Sequence, residues 1–241
     1  KIKRRPPTYD KGCAFKFAME CISKKAASMI EDFSLEDNGP IPQVYVESVT
    51  TMEKNVAKNT VDLVLFSPPY ANCFDYTKIY YFRSYYLELW FAGFVNSTSD
   101  QKNIRMKSLR SHCHATWPER YTSFNLPELN DQIIPLLRQQ KLWTNKIPDM
   151  LNGYFADMEE ALRQIYDSLK SGGHCAIVVS NSAYAGIVIP TDVFLAMIAE
   201  KIGFKVQEIA VERLIITSSQ QYKKTERVRK YLRESIVKLE K

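Results

Sequence analysis

The 241-residue sequence predicts an α/β fold with a largely parallel sheet. Two apolar runs, Asp62–Phe66 and His174–Ser180, have the length and composition of strands that are buried on both faces of such a sheet. Two segments with helical spacing of apolar residues, Phe155–Leu169 and Thr191–Ile202, lie on either side of the second run. Strands that alternate with helices along the chain are typical of this fold class.

Glycine and proline indicate where these elements end. Gly172 and Gly173 would stop the first helix, while Pro190 and Gly203 bracket the second. The remaining predicted elements are a helix over 14–33, a strand over Gln43–Val49, an aromatic-rich helix over Tyr76–Phe91, a strand over Lys205–Thr217 and a final strand over Glu234–Leu239, for which a helix over Tyr231–Lys241 is the alternative.

The predicted elements divide the chain into three regions. Residues 1–42 form an N-terminal helical segment, and residues 43–94 together with 151–241 form a catalytic region. Residues 95–150 are polar, basic and interrupted by prolines, which predicts a long, irregular insertion with a role in contacting the target.

The composition indicates a soluble globular protein with a mild attraction for nucleic acid. Hydrophobic residues make up 45% of the chain and the formal net charge is +6. The five cysteines do not suggest a disulfide framework, and no apolar stretch approaches the ~20 residues of a membrane span. We therefore expect a reducing, cytoplasmic location and no membrane partner. Because the sequence begins at Lys1 without a methionine, a fragment or a processed piece is expected.

The candidate catalytic motif is S-P-P-Y, Ser67–Tyr70, which directly follows the first predicted strand. In open α/β sheets, ligands bind at the carboxyl ends of the strands. Pro68 and Pro69 lack a backbone N–H but keep their carbonyl acceptors, while the flanking residues add a hydroxyl and a flat ring. These groups match the exocyclic amine and the ring of a base that has been flipped out of a duplex. A Pro-Pro turn beside a buried tyrosine is the structural alternative.

The sequence around this motif resembles prokaryotic DNA amino-methyltransferases. The segment VDLVLFSPPYANCFDYTKIYYFRSYYLELWFAGF resembles their motif IV and the helix after it. LKSGGHCAIVVSNS is similar to their helix, Gly-Gly turn and next central strand, and VERLIITSSQQ with RESIVKLEK is similar to their closing strands. The resemblance implies the catalytic half of a Rossmann-like sheet that uses S-adenosylmethionine to methylate DNA, as in restriction–modification systems.

The resemblance also implies catalytic residues and a reaction. Ser67, Pro68, Pro69 and Tyr70 would hold the target amine for direct methyl transfer, and serine at the first position is the form associated with cytosine-N4 rather than adenine-N6 enzymes. Ser67 and Pro68 would also lie near the cofactor, together with the acidic Glu47.

Two further residues are candidates for the base pocket beside Tyr70. Asp75 follows the motif closely and Asn181 follows the second predicted strand, so both should lie near the same edge of the sheet. Each has a structural alternative, since Asp75 is suited to cap a helix and Asn181 to cap a turn.

One departure from the family concerns the cofactor. The family's Phe-x-Gly-x-Gly loop has no counterpart among the eight glycines of this chain. We therefore expect that loop on a second polypeptide or on a missing segment N-terminal to Lys1, and weak or absent cofactor binding by the isolated chain. Two other functions stay open: an RNA base methyltransferase, and a non-catalytic nucleic-acid-binding subunit or degenerate homologue.

Basic residues in the insertion are candidates for contacts with the DNA backbone. Arg105, Lys107 and Arg110 are predicted to touch phosphates. The neighbouring run His112–His114 lacks a second pair of histidines or cysteines at ligand spacing, so no metal site is predicted.

Overall fold

The computed structural model describes residues 48–75, 108–115, 124–215 and 225–241, together with positions 20, 22–28, 30, 31, 43, 45 and 106. The chain divides into two compact units, residues 1–46 and 47–241. In the first unit the predicted helix over 14–33 is present at the described positions 20, 22–28, 30 and 31. The second unit contains the sheet. The predicted helix over Tyr76–Phe91 lies outside the described residues.

The described strands of the second unit are β1 (Val61–Phe66), β2 (Leu169–Ser180), β3 (Ser182–Tyr184), β4 (Ile187–Ile189), β5 (Lys205–Leu214) and β6 (Arg233–Glu240). Four of them form one sheet in the order β1-β2-β6-β5, and β3 pairs with β4 in a separate hairpin. β1 and β2 are parallel, whereas β6 runs antiparallel to both β2 and β5. The predicted α/β class is confirmed, but the sheet is mixed because β6 runs antiparallel to its two neighbours.

The described helices are α1 (Ile134–Arg138), α2 (Ile147–Ser168) and α3 (Thr191–Ile202). Residues of α2 and α3 share one buried cluster with the side chains of β2 and β6 that point to the same face; its members include Leu151, Phe155, Leu162, Leu195, Cys175, Ile177, Val179 and Val237. The two long helices therefore cover one face of the sheet, and the hydrophobic core lies between them and the strands. None of the described helices is long and apolar enough to cross a lipid bilayer.

On the opposite face of the sheet, β1 presents exposed apolar side chains. Side chains alternate along a strand, so Leu63 and Leu65 point away from the helices, in register with His174 and Ala176 of β2. These two leucines are 62% and 69% exposed. The prediction that the first strand is buried on both faces is therefore wrong for β1, whose helix-facing residues alone pack against the core.

The predicted insertion is more regular than expected near its end. Residues Glu128–Ile133 form a π-helical turn that leads into α1, and α2 begins at Ile147 rather than at Phe155. Pro148 lies in the first turn of α2, where a missing N–H costs no hydrogen bond, whereas Pro135 lies where the π-helical turn passes into α1. The prolines of this region therefore do not indicate irregular chain throughout.

Two other local predictions are wrong. Gly172 and Gly173 do not end α2, because Leu169 is already extended and the chain enters β2 at once. Gly172 has φ +75° and donates its N–H to the carbonyl of Lys241 at 2.8 Å, so the glycines bend a strand end. In Gln43–Val49, the described positions 43, 45 and 48 are not in a strand, and Val49 begins a 3-10 turn.

Candidate active site

The ends of four strands meet at one edge of the sheet. The carboxyl ends of β1, β2 and β5 lie there together with the start of antiparallel β6. The S-P-P-Y motif follows β1 at this edge, and the β3–β4 hairpin follows β2. This is where ligands are bound in open α/β sheets.

Ser67 is exposed and its hydroxyl has a defined orientation. Its Oγ donates to the backbone carbonyl of Val178 in β2 at 3.0 Å. A hydroxyl has one hydrogen to donate and two lone pairs that accept. Because the hydrogen is directed to Val178, the lone pairs are turned toward other groups, as a hydrogen-bond acceptor for an incoming N–H requires.

Contacts with the hairpin fix the end of the motif. Ala71 is completely buried, and its carbonyl accepts hydrogen bonds from the hydroxyls of Ser182 at 2.7 Å and Tyr184 at 2.9 Å. Burial raises the pKa of Tyr184 well above its ordinary value, so this hydroxyl stays protonated and able to donate. Pro68 is also buried, while Pro69 is half-buried. The loop after β1 is thus stiffened by its two prolines and anchored by hydrogen bonds to β2 and β3.

Tyr70 is positioned by a carboxylate from the last strand. Its hydroxyl donates to Oε1 of Glu234 at 2.8 Å, and Arg213 donates from Nε to Oε2 of the same carboxylate at 2.6 Å. These two hydrogen bonds, first that of Arg213 and then that of Tyr70, lower the pKa of Glu234. The half-buried ring of Tyr70 is therefore held in place by an ionised group at neutral pH.

Sequence reasoning missed both Glu234 and Arg213. They face each other across β5 and β6. The alternation of polar and apolar residues predicts the final strand, but it does not indicate which of its residues lies beside Tyr70. Sequence reasoning also missed the β3–β4 hairpin, whose two-residue turn has positive φ at Ala185 (51°) and Gly186 (84°). Positive φ at both positions is characteristic of a type I′ turn, and an Ala-Gly pair is a weaker signal for it than Asn-Gly.

Asn181, a predicted base-pocket residue, is 5% exposed and its amide is used within the fold. Its Oδ1 accepts from the backbone N–H of Asp192 in the first turn of α3, at 3.1 Å, and its Nδ2 donates to the carbonyl of Tyr231, also at 3.1 Å. Asp192 is fully buried and accepts from Arg233 and Ser235 at 2.8 Å each. The structure thus favours the capping alternative for Asn181.

Of the other candidates for the base pocket and the cofactor site, the structure describes Asp75 but not Glu47. Asp75 is half-buried, five residues beyond Tyr70, and the helix that it was expected to cap begins outside the described residues. Between them, Asn72 accepts at its Oδ1 from the N–H of Phe74 at 3.1 Å, which closes a turn after the motif. Glu47 lies outside the described residues.

Arg110, one of the predicted phosphate contacts, is engaged by a buried carboxylate. Its backbone N–H and its guanidinium bind Asp157 of α2 through four hydrogen bonds of 2.8–3.2 Å. The side chains of Arg110 and Asp157 are 15% and 1% exposed. This ion pair joins the segment 108–115 to α2. Arg105 and Lys107, the other two predicted contacts, lie outside the described residues.

A pair of cysteines lies between the motif loop and this segment. The sulfur atoms of Cys73 and Cys113 are 2.9 Å apart. His112, next to Cys113, forms hydrogen bonds within the same segment. Its Nε2 is 3.2 Å from Ser108 Oγ, and its Nδ1 accepts from the N–H of His114 at 3.3 Å. Within the described part of the chain, no group of three or more potential ligands is placed to hold a metal ion.

Comparisons with known proteins identify homologues. The chain is 32% identical over 154 residues to the Type II methyltransferase M.AvaI of Nostoc sp. (strain PCC 7120 / SAG 25.82 / UTEX 2576), a match that covers 62% of this chain and 32% of that protein. It is 30% identical over 230 residues to the Type II methyltransferase M.BsoBI of Geobacillus stearothermophilus, covering 85% of this chain and 43% of that protein. The chain thus spans less than half the length of either relative.

Among solved structures, the chain is similar to a DNA modification methylase of Thermus thermophilus, TTHA0409, complexed with S-adenosyl-L-methionine. The match has 15% identity and a TM-score of 0.40, and covers 81% of this chain and 54% of that one. No family model matches the chain. The predicted resemblance to prokaryotic methyltransferases is confirmed by sequence, because the homologues are Type II methyltransferases.

Proposed function

We propose that this chain supplies the base-binding part of a Type II DNA methyltransferase, which transfers the methyl group of S-adenosylmethionine to N4 of a flipped cytosine in the bacterial cytoplasm. The observation that carries the proposal is the hydrogen bond from Ser67 to the Val178 carbonyl, since it leaves the Ser67 oxygen as an acceptor at the edge where the strands end. Similarity to two Type II methyltransferases supports the reaction class.

The chemistry requires acceptors and a fixed ring. An exocyclic amine is a poor nucleophile because its lone pair is delocalised into the base. Hydrogen bonds from its two N–H groups to Ser67 Oγ and to the Pro68 carbonyl would favour a pyramidal nitrogen, whose lone pair then attacks. The cofactor would supply the methyl group to this nitrogen, and the methylated nitrogen would release one proton to solvent. Positioning by these acceptors and by the Tyr70 ring supplies the acceleration that the protein adds.

The choice of base within this proposal rests on Ser67. The first motif position is aspartate, asparagine or serine in the wider family, and serine is the form associated with cytosine-N4 methylation. Tyr70 supports either base, because stacking depends on a flat ring and not on its identity. Analysis of the methylated nucleoside by mass spectrometry decides between N4-methylcytosine and N6-methyladenine.

The cofactor requires residues beyond those of the motif. Ser67 and Pro68, with Glu47, are the proposed contacts on this chain, and the cofactor would supply the methyl group that is transferred. The Phe-x-Gly-x-Gly loop is absent from all 241 residues. We therefore place that loop on a complementing part of the methyltransferase, either a second polypeptide or a segment preceding Lys1.

The open side of β1 supports such a complement. β1 is the outer strand of the four-stranded sheet, and among the described residues no strand pairs with its second edge. Leu63 and Leu65 lie beside that edge at 62% and 69% exposure. An added parallel strand with its crossover helix would pair the edge and cover both leucines. The relatives, of which this chain covers 32% and 43%, are long enough to include such a part.

The proposal is tested by methylation with and without the complement. The chain is purified alone and together with the adjoining coding region, and each sample is incubated with radiolabelled S-adenosylmethionine and duplex DNA or RNA. We expect labelled N4-methylcytosine in DNA from the complemented sample only. Labelled RNA would favour the RNA methyltransferase alternative, and DNA binding without any label would favour a non-catalytic subunit. Micromolar cofactor binding by the isolated chain in calorimetry would contradict the need for a complement.

We further propose that Arg105 and Lys107 contact DNA phosphates, and leave Arg110 out because Asp157 already binds its guanidinium. Neutralising Arg105 and Lys107 should weaken DNA binding and reduce the slope of log affinity against log salt by about one unit for each lost contact. Lys58→Gln serves as a control, since Lys58 pairs with Asp167 at the opposite edge of the sheet. An unchanged slope in the double variant would place this segment away from the DNA.

A further inference from the structure

The Cys73–Cys113 pair joins two parts of the chain that are forty residues apart. Cys73 is half-buried, three residues after Tyr70, and Cys113 is 7% exposed within the segment that Arg110 fastens to α2. Their sulfur atoms are 2.9 Å apart, and both are free thiols. A sulfur–sulfur bond is about 2.05 Å long, so the two atoms need to approach by less than ~1 Å to form one.

The two thiols are not equivalent. The hydrogen bond between the two thiols lowers the pKa of Cys73, while the same hydrogen bond and burial raise the pKa of Cys113. Cys73 is therefore the sulfur that ionises first, and the thiolate is the form that reacts with oxidants. Cys175 of β2 differs from Cys73, because burial between the sheet and its helices raises the pKa of Cys175 to about 12.

The backbone around Cys73 also holds the pair together. Cys73 has φ +59°, a left-handed conformation that costs a non-glycine residue energy and that persists only where the surroundings impose it. Two residues earlier, Ala71 is anchored by Ser182 and Tyr184. On the other side, Cys113 is three residues from the Arg110–Asp157 ion pair. Both sulfur atoms are thus presented to each other by fixed backbone.

We propose that Cys73 and Cys113 form a redox-modifiable dithiol that a peroxide converts into a disulfide, which ties the motif loop to the segment 108–115. The Cys73 thiolate attacks one peroxide oxygen and the O–O bond breaks, giving a sulfenic acid and, with hydrogen peroxide, one water after protonation. The Cys113 sulfur then attacks the Cys73 sulfur and displaces hydroxide, which takes up the Cys113 proton as a second water. Two thiols are oxidised and one peroxide is reduced.

The disulfide would change the loop that presents Ser67 and Tyr70. Its closure encloses forty residues, so it restricts the unfolded chain and should raise the melting temperature by several degrees. It also adds a covalent link between the motif loop and segment 108–115. The inference rests on the two sulfur atoms and their anchors and does not depend on the proposed methyltransferase activity.

Peptide mapping of the 241-residue chain tests the proposal. The reduced protein is treated with hydrogen peroxide, its remaining thiols are blocked with N-ethylmaleimide, and proteolytic peptides are analysed by mass spectrometry. We expect a peptide pair linked through Cys73 and Cys113 that dithiothreitol separates, while Cys175 is recovered as a thiol. A Cys13→Ser, Cys21→Ser double variant should give the same linked pair, because neither residue takes part.

Other outcomes would overturn the proposal. A Cys73 that is oxidised to sulfinic acid while Cys113 remains a thiol would show that the second thiol does not resolve the first. Disulfides of Cys73 with Cys13 or Cys21 in place of Cys113 would contradict the pairing. The wild-type experiment needs no substitution, so poor folding of a Cys113→Ser variant cannot obscure the result. That variant, if folded, should lose the linked peptide and the rise in melting temperature.

Discussion

The two faces of the four-stranded sheet both carry apolar side chains, but these side chains have different surroundings. On one face, α2 and α3 bury Cys175, Ile177 and Val179 of β2 almost completely. On the other, Leu63 and Leu65 of the adjacent strand are more than half exposed. Apolar strand residues thus contribute to the stability of this chain only where a helix covers them. The open face is available for a further part of the protein, whose affinity would come from the same kind of burial.

The largest expected effect is a difference in folding stability between the two faces. Leu162→Ala, on the completely buried side of α2, should lower the free energy of unfolding by about 2–5 kcal/mol, because it leaves a cavity. Leu65→Ala removes the same atoms from the open face and should change it by less than about 0.5 kcal/mol. Urea denaturation of both variants measures the difference. Equal losses would mean that the open face is covered in solution.

The second effect concerns assembly with the proposed complement. Leu65→Asp should weaken that assembly by about 1.5–3 kcal/mol, or roughly 10- to 150-fold in the dissociation constant, since it removes one buried leucine from the contact. Leu136→Asp on α1 is the control, as Leu136 is 49% exposed and belongs to a different part of the surface. Titration of a separately produced complement checks this prediction. A loss with Leu136→Asp but not with Leu65→Asp would move the interface to another surface.

The third effect concerns the methylation rate and Tyr70, which lies at the end of the sheet where the S-P-P-Y motif follows β1. Tyr70→Ala removes the ring and should slow methylation by the complemented enzyme by about 1–3 kcal/mol, or roughly 5- to 150-fold. Tyr70→Phe keeps the ring and removes the hydrogen bond to Glu234, so its loss of rate should be smaller. Rates under single-turnover conditions separate the two variants. Normal methylation by Tyr70→Ala would remove Tyr70 from the base pocket.

The smallest effect is expected from the carboxylate that holds Tyr70. The pKa of Glu234 is lowered in the folded chain, so its stabilising contribution is present above the ordinary value of 4.5 and is lost as the pH falls through the lower folded value. Glu234→Gln should therefore flatten the decline of stability below about pH 4.5. Glu208→Gln, which breaks an exposed pair with Lys238 on the same sheet, is the control. If the decline of stability below about pH 4.5 is the same in Glu234→Gln as in the unmodified chain, that result would argue against the Tyr70–Glu234–Arg213 network.

The elements that the sequence predicted best are those with an unambiguous period and clear ends. Thr191–Ile202 forms a helix with the predicted limits, because Pro190 and Gly203 leave no other choice of start and stop. The first strand was also correctly located, but its exposure was not, since an apolar run of this length does not reveal whether anything covers it. Burial depends on the partners of a strand, and those partners lie elsewhere in the sequence or outside it.

The candidate site was predictable only where local sequence carries its chemistry. Ser67–Tyr70 forms a recognisable tetrapeptide, whereas Glu234 reaches Tyr70 across 164 positions through strand register. Arg110 and Asn181 carry polar groups that suit a ligand, yet Asp157 and the start of α3 are their partners. A single sequence shows which side chains can bind a phosphate or a base. It does not show which of them the fold has already engaged.

The position of β6 has a consequence for how the protein is made. β6 follows β5 in the sequence but lies between β2 and β5, and it supplies every sheet contact that β5 has in the described part of the chain. During synthesis, β2 and β5 must therefore each keep an unpaired edge until residues 233–240 have left the ribosome. Such edges can pair with strands of other chains. Nascent chains stalled before residue 233 should thus bind chaperones and aggregate more readily than completed ones.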